Sequence, residues 1–219
     1  MKENSNEIKM NIKKSLVSMV AACWLALVPI ASAKAANGSI EAMCGEKQCV
    51  QDLKVSGALT PEIGVFAREI TIIDYAKQVG HFGLVDLTHK VAGGLDGVLE
   101  VQYILGLGAM PSAGAQYFQV VDELSFYVLV KSSLTEPIYG GILASVGYTP
   151  FLTQELGLTF NVENVSNLSS KGHELSEQRL RAGVTISNKL QVGAAGDIVE
   201  QGEEDQTTYN LGGFVCLKF

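Results

Sequence analysis

The chain closes on a stretch whose residues alternate in polarity, Tyr209-Asn210-Leu211-Gly212-Gly213-Phe214-Val215-Cys216-Leu217-Lys218-Phe219. A β-strand points alternate side chains to opposite faces. One face of this strand would carry an apolar row with an aromatic ring at each end, comprising Tyr209, Leu211, Gly213, Val215, Leu217 and Phe219. The other face is mixed and partly polar. A tilted strand of about nine to eleven residues is long enough to cross a bilayer, so the pattern predicts a membrane-spanning strand.

This stretch resembles the closing strand of bacterial outer-membrane β-barrels, which ends in an aromatic residue. The resemblance is close over this one strand, and the downstream two-thirds of the chain share only the general style. It implies that Phe219 is the signal that the barrel assembly machinery recognises. It also implies that the protein lies in the outer-membrane lipid of a Gram-negative bacterium. An edge strand of a soluble sheet that ends in Phe is the alternative.

The N-terminus has the features of a secretory signal peptide over residues 1–33. A basic region with Lys9, Lys13 and Lys14 precedes an apolar run from Leu16 to Ile30, and Ala31-Ser32-Ala33 matches a small-x-small cleavage site. After this leader no stretch is long and apolar enough for a transmembrane helix. The 47% of hydrophobic residues are instead dispersed in alternating runs, which is the weak signature of a membrane barrel.

Charge and cysteine content exclude some classes of partner. Without residues 1–33 the chain has 12 Lys+Arg and 21 Asp+Glu, a net charge of −9, and such an acidic chain argues against nucleic acid as a partner. Cys44 and Cys49 are spaced to close a small disulfide loop in an oxidising periplasm. Too few His and Cys residues lie near them for a metal site, and Cys216 is then the odd thiol.

Residues 34–80 are expected to form a periplasmic arm with a short amphipathic helix. Thr60-Pro61-Glu62 is a good helix start, and Ile63, Phe66, Ile70 and Ile73 recur at helical spacing. The β-branched run from Ile70 to Ile73 also fits a strand, so both interpretations remain open, with the helix favoured.

From His81 onward the sequence alternates with a period of two, and we count eight strands over residues 81–219. Turns or loops are expected at 93–97, 109–116, 132–137, 150–152, 164–177, 188–189 and 200–207. Residues 117–131 are interpreted as one long strand with a bulge near Val120-Val121. The longer loops fall on one side and the short turns on the other, as in outer-membrane barrels. The predicted fold is therefore all-β, an antiparallel up-and-down transmembrane barrel.

The inward-facing positions of such a barrel would carry charges of both signs. They are Glu100, Glu155, Glu163, Arg179, Arg181, Asp197 and Lys218, with Asp86, Lys90 and Lys131 placed less securely. Eight strands enclose an interior that side chains can fill, and buried charges of opposite sign are expected to pair. The sequence therefore predicts an interior plugged by ion pairs, with a narrow polar conduit as the alternative.

No catalytic, cofactor-binding or metal-binding constellation is predicted. Ser169, His173 and Glu174 supply the residue types of a hydrolytic triad, but they lie together in one predicted loop rather than on separate elements. The acidic run Glu203-Glu204-Asp205 is interpreted as a solvated loop.

The whole pattern resembles the small OmpA/OmpX-like barrels. The resemblance implies a monomer with a structural, adhesion or surface-recognition role, while an extracellular ligand stays unidentified. The alternatives are a small pore, a lipid-modifying outer-membrane enzyme, and a soluble periplasmic barrel that binds an apolar ligand.

Overall fold

A computed structural model describes residues 37–76, 78–202 and 206–219, so the predicted signal peptide and Glu203-Glu204-Asp205 lie outside the described residues. The described residues form twelve strands in one closed barrel. Each strand pairs antiparallel with its neighbours in sequence, and the first pairs with the last. The strands are β1 (Asn37–Gly45), β2 (Gln48–Ala58), β3 (Ile63–Asp74), β4 (Val79–Ala92), β5 (Leu95–Ile104), β6 (Gly108–Val121), β7 (Leu124–Ser133), β8 (Tyr139–Tyr148), β9 (Leu156–Ser169), β10 (Gly172–Ile186), β11 (Leu190–Gln201) and β12 (Gln206–Lys218).

An even number of strands brings both ends of the barrel sequence to one end of the cylinder, which we call the terminus end. There, Gly38 and Phe219 exchange two backbone hydrogen bonds of 2.9 Å. The opposite end, which we call the far end, carries the turns after the odd-numbered strands. The pairing of β1 with β12 leaves no open sheet edge, so every strand has a hydrogen-bonded neighbour on both sides.

The closing strand β12 has the two faces that its sequence predicts. Tyr209, Leu211, Val215, Leu217 and Phe219 point outward and are 47–60% exposed, whereas Asn210, Phe214 and Cys216 point into the lumen and are 4–6% exposed. Tyr209 and Phe219 are about 33 Å apart along a strand at its usual rise. At the usual tilt of a membrane barrel that length spans about 25 Å, the height of an outer-membrane apolar band.

The predicted arm and helix are wrong, because residues 37–74 form β1, β2 and β3 of the wall. The residues that suggested a helix start shape a turn instead, in which Thr60 Oγ1 accepts hydrogen bonds from the backbone N–H groups of Glu62 (3.3 Å) and Ile63 (3.0 Å). The β-branched run from Ile70 to Ile73 then continues as strand. No helix among the described residues is long and apolar enough to cross a membrane.

The count of eight strands is also wrong. Residues 81–219 contribute to nine strands, and three further strands precede them. The predicted long strand 117–131 is a hairpin of β6 and β7, which turns at Asp122 with a positive φ of 53°. Asp tolerates that conformation better than most residues. The predicted turn at 109–116 lies inside β6, where Pro111 pairs with Val101 before the pairing of β6 with β7 begins at Ser112.

The expected contrast between long loops and short turns is absent. Most of the predicted loop 164–177 belongs to the ends of β9 and β10, which pair up to Ser169 and Gly172. The longest connection, residues 149–155 between β8 and β9, is at the terminus end. Connection length therefore does not distinguish the two ends of this barrel.

Gly183 of β10 faces Gly193 of β11, and the two backbones lie close together there. A Cβ atom at Gly183 would lie 2.1 Å from the carbonyl oxygen of Val192, and one at Gly193 would lie 2.1 Å from that of Ala182. No side chain fits at that separation, so glycine on both strands allows the two backbones to approach closely.

Candidate functional site

The lumen holds most of the buried charge of the barrel, and the charged side chains that cluster there come from inward positions of nine strands. They fall into three clusters, which we name after one base in each. The Arg68 cluster comprises Arg68, Arg179, Lys54, Asp52, Glu163 and Glu177. The Arg181 cluster comprises Arg181, Glu41 and Asp197. The Lys131 cluster comprises Lys131, Glu100 and Asp86.

The Arg68 cluster crosses the lumen. Arg68 of β3 donates from Nη2 to Asp52 Oδ2 at 2.6 Å and to Glu163 Oε1 at 2.7 Å. Strands β3 and β9 are six places apart in a ring of twelve, which puts Arg68 and Glu163 on opposite walls. Their contact is therefore a bridge through the centre of the barrel.

Further contacts make the Arg68 cluster balanced in charge. Arg179 donates from Nη1 to Asp52 Oδ2 at 3.0 Å and from Nε to Glu177 Oε1 at 2.7 Å. Lys54 Nζ lies 3.5 Å from Asp52 and 3.6 Å from Glu163. Three bases thus face three acids, and direct hydrogen bonds to the arginines hold each acid. Such pairing is what a buried charge requires.

The Arg181 cluster is held by strands on one side of the barrel. Arg181 donates from Nε to Glu41 Oε1 at 2.8 Å and from Nη1 to Asp197 Oδ1 at 2.7 Å. The cluster has one more acid than base. Glu41 remains 20% exposed at its side chain, so water can solvate its charge.

The Lys131 cluster also has one more acid than base, and here both acids are buried. Lys131 Nζ donates to Glu100 Oε1 at 2.6 Å. Asp86 of β4 and Glu100 of β5 are directly opposite each other in the strand register, and each residue is 2% exposed. Asp86 Oδ1 and Glu100 Oε2 have no hydrogen-bond partner among the described residues.

The sequence-predicted interior residues are only partly brought together. Glu163 and Arg179 share the Arg68 cluster, Arg181 and Asp197 share a second, and Glu100 is in the third. Glu155 instead lies exposed in the connection between β8 and β9, and Lys218 faces the lumen at the terminus end without an ion pair among the described residues.

Four interior charges escaped the sequence analysis because the arm was not interpreted as strand, namely Glu41, Asp52, Lys54 and Arg68. A signal for them exists in the sequence. Asp52, Lys54 and Ser56 alternate with Leu53 and Val55, which is the same polar-in, apolar-out pattern as in the later strands.

A polar cavity of about 210 Å³ lies on the terminus side of the Arg68–Glu163 bridge. Charged side chains line one wall, among them Lys54, Arg181 and Lys218. Hydroxyl and amide groups line the facing wall and include Ser125, Thr159 and Asn161. The lumen is therefore hollow and polar here, whereas Met43 and Phe214 fill it beside β1 and β12.

Two His-containing groups bear on the enzyme alternative. On the outer wall, Thr71 Oγ1 and Glu69 Oε1 approach the same ring nitrogen of His81, Nδ1, at 3.5 and 3.9 Å. At the far end, His173 Nε2 contacts Ser176 Oγ at 2.7 Å, while Ser169 donates to Glu174. A Ser-His-acid triad needs the acid and the nucleophile on different ring nitrogens, so neither group has that geometry.

The cysteines have separate locations. Cys44 and Cys49 form a disulfide bond between β1 and β2, next to the turn that joins these strands at the far end. Cys216 is a free thiol that packs in the lumen with Met43 and Phe214.

Comparison with solved structures identifies the fold as that of porin barrels. The NanC porin matches with a TM-score of 0.58 at 10% identity, over 84% of this chain and 99% of the other. The KdgM porin in complex with disordered oligogalacturonate matches with a TM-score of 0.50 at 8% identity, with the same coverage of 84% and 99%. No protein-family model matches the sequence, and neither does any curated protein. The protein is thus a closed antiparallel barrel of the porin-like type, with a lumen that ion pairs cross.

Proposed function

We propose that the protein is a narrow pore of the Gram-negative outer membrane that admits small hydrophilic solutes past the Arg68–Glu163 bridge. The observation that carries this proposal is the polar, partly hollow lumen, in which a cavity of about 210 Å³ adjoins the bridge. Twelve strands enclose more space than the eight that side chains just fill, and less than the sixteen to eighteen of a wide aqueous channel.

The outer-membrane location is supported by the apolar outer face. Exposed aliphatic and aromatic side chains form a band that fits the height of the hydrocarbon layer. Closure of the sheet satisfies the backbone groups of every strand, as a membrane span requires. Phe219 is proposed as the assembly signal. A chain without Phe219 is expected to accumulate in the periplasm, and normal outer-membrane levels of that chain would contradict this role.

The structure supports a pore better than the adhesion or surface-recognition role that the sequence suggested. The fully described far-end turns after β1, β5, β7 and β9 are short, the longest being residues 134–138. They offer little surface for a specific partner. The lumen, in contrast, contains a polar cavity of about 210 Å³ beside its charged clusters.

The bridge is the element to test, because it joins opposite walls of the lumen. The double substitution Arg68→Ser and Glu163→Ser removes one base and one acid together. It leaves the remaining charges of the Arg68 cluster balanced. In planar bilayers the unmodified protein is expected to show small single-channel currents. The double Ser variant should conduct severalfold more, because two long side chains no longer cross the lumen.

Val162→Ala is the matched control, since Val162 precedes Glu163 in β9 and points outward. Its conductance should equal that of the unmodified protein. The pore is refuted if neither the unmodified protein nor the folded double Ser variant carries a current. A permanently plugged barrel is then favoured.

A further inference from the structure

We propose that Asp86 and Glu100 together bind one proton in the lumen at neutral pH, as a carboxylic acid that donates to a carboxylate. The two residues face each other across β4 and β5. Asp86 Oδ1 and Glu100 Oε2 are both enclosed and have no partner among the described residues. Ionised carboxylates can only accept hydrogen bonds. A proton between them supplies the missing donor for one oxygen and a partner for the other.

The charge count of the neighbouring groups supports the same conclusion. Inward side chains of four other strands face the pair, namely Phe66 and Arg68 on β3, Ser112 and Gln116 on β6, Tyr127 and Lys131 on β7, and Glu163 on β9. Arg68 and Glu163 belong to the balanced cluster and leave no spare positive charge. Lys131 alone faces two acids, so one added proton makes the Lys131 cluster neutral. A neutral buried group is far less costly than one with a net charge.

A metal ion is a poorer occupant than a proton. The ammonium group of Lys131 is 2.6 Å from Glu100 Oε1 and would repel a second cation at the pair. No group of three or more His, Cys, Asp or Glu side chains that could hold a metal ion occurs among the described residues. Two carboxylates sharing one proton is the arrangement that closely spaced acids adopt when both cannot ionise.

The shared proton gives the lumen a charge that depends on pH. When the proton leaves to water, the Lys131 cluster gains one uncompensated negative charge beside the bridge. That charge attracts cations and repels anions in the lumen. This consequence rests on the proposed pore, whereas the shared proton itself does not.

Infrared spectroscopy of the barrel in lipid tests the proton directly. The unmodified protein at pH 7 should show a carboxylic-acid C=O stretching band that shifts on exchange into D₂O. Asp86→Asn should abolish the band, because Glu100 then pairs with Lys131 as a carboxylate. Glu100→Gln should also abolish it and serves if the first variant fails to fold. Glu41→Gln, in the separate Arg181 cluster, is the control and should retain the band.

The absence of an acid band from the unmodified protein, or a band that survives both substitutions, would overturn the shared proton. Loss of the band on addition of Na⁺, K⁺, Mg²⁺ or Ca²⁺ at constant pH would show a metal site in its place. A second arm measures ion selectivity in planar bilayers while the pH is raised until the band disappears. The cation-to-anion permeability ratio should rise about threefold in the unmodified protein and stay constant in Asp86→Asn. A silent barrel that keeps the infrared band would refute the pore alone.

Discussion

The Arg68 and Lys131 clusters occupy the same lumen but solve the problem of buried charge differently. In the Arg68 cluster three bases meet three acids drawn from both walls, and direct hydrogen bonds hold each acid. In the Lys131 cluster one base meets two acids from neighbouring strands, and two carboxylate oxygens lack a partner in the part of the chain that the structure describes. The charges of the first cluster are balanced by its own side chains, whereas the second needs one added proton to become neutral.

The difference shows that pairing across a lumen depends on which strands face each other, and not on the total charge inside. Asp52 and Glu163 reach arginines because β2, β3, β9 and β10 converge on the centre of the barrel. Asp86 instead faces Glu100, another acid, on the neighbouring strand. Substitutions should therefore have unequal effects in the two clusters, although Asp52, Asp86 and Glu100 are all buried.

The largest effect is expected from Arg68→Gln. This change leaves Asp52 and Glu163 without their shared guanidinium, and removing one partner of a buried ion pair typically costs about 3–5 kcal/mol. Reversible unfolding in lipid should show a loss of that size. A loss below about 1 kcal/mol would mean that the bridge contributes no more than a surface salt bridge, and the contrast between the clusters would disappear.

Two neighbouring residues of β9 test which side chains face lipid and which face the lumen. Leu158→Arg should cost about 2–4 kcal/mol if Leu158 faces lipid near the bilayer midplane. Thr159→Arg should cost less, because Thr159 lines the polar cavity in the lumen. The same unfolding assay checks both, and equal losses would show that the faces are wrongly assigned.

The sequence predicted an antiparallel barrel correctly where strands are regular and turns are simple, but its eight-stranded OmpA/OmpX-like class is wrong. β12 and the turn at 188–189 follow directly from alternation and from residues such as Asn188, which adopts a positive φ of 59°. Residues 48–58 have the same alternation, but no apolar face there is long enough to stand out. Thr60-Pro61-Glu62 then favoured a helix, although tertiary pairing on both sides of β3 overrides a local start signal.

The ion-pair partners could not be predicted from the sequence, even on strands that were assigned correctly. Alternation identifies which charges point inward, and it placed Glu163, Arg179 and Arg181 on that face. Which charges meet depends on the strand number and register, since β3 and β9 are opposite only in a ring of twelve. An eight-stranded count therefore could not have paired Arg68 with Glu163.

The smallest effect is expected from Asp86→Asn, and it separates the two clusters most sharply when compared with Asp52→Asn. Asn has nearly the shape of a protonated Asp and supplies an N–H donor where the shared proton lies, so Asp86→Asn should change the free energy of unfolding by less than about 1 kcal/mol. Asp52 instead accepts hydrogen bonds from Arg68 and Arg179 as a carboxylate. Its replacement by Asn removes a buried negative charge between two positive ones and should cost about 3 kcal/mol or more. Unfolding of both variants in lipid at pH 7 measures the difference. A cost for Asp86→Asn equal to that for Asp52→Asn would mean that Asp86 is ionised and firmly paired in the folded barrel, and the two clusters would then be alike.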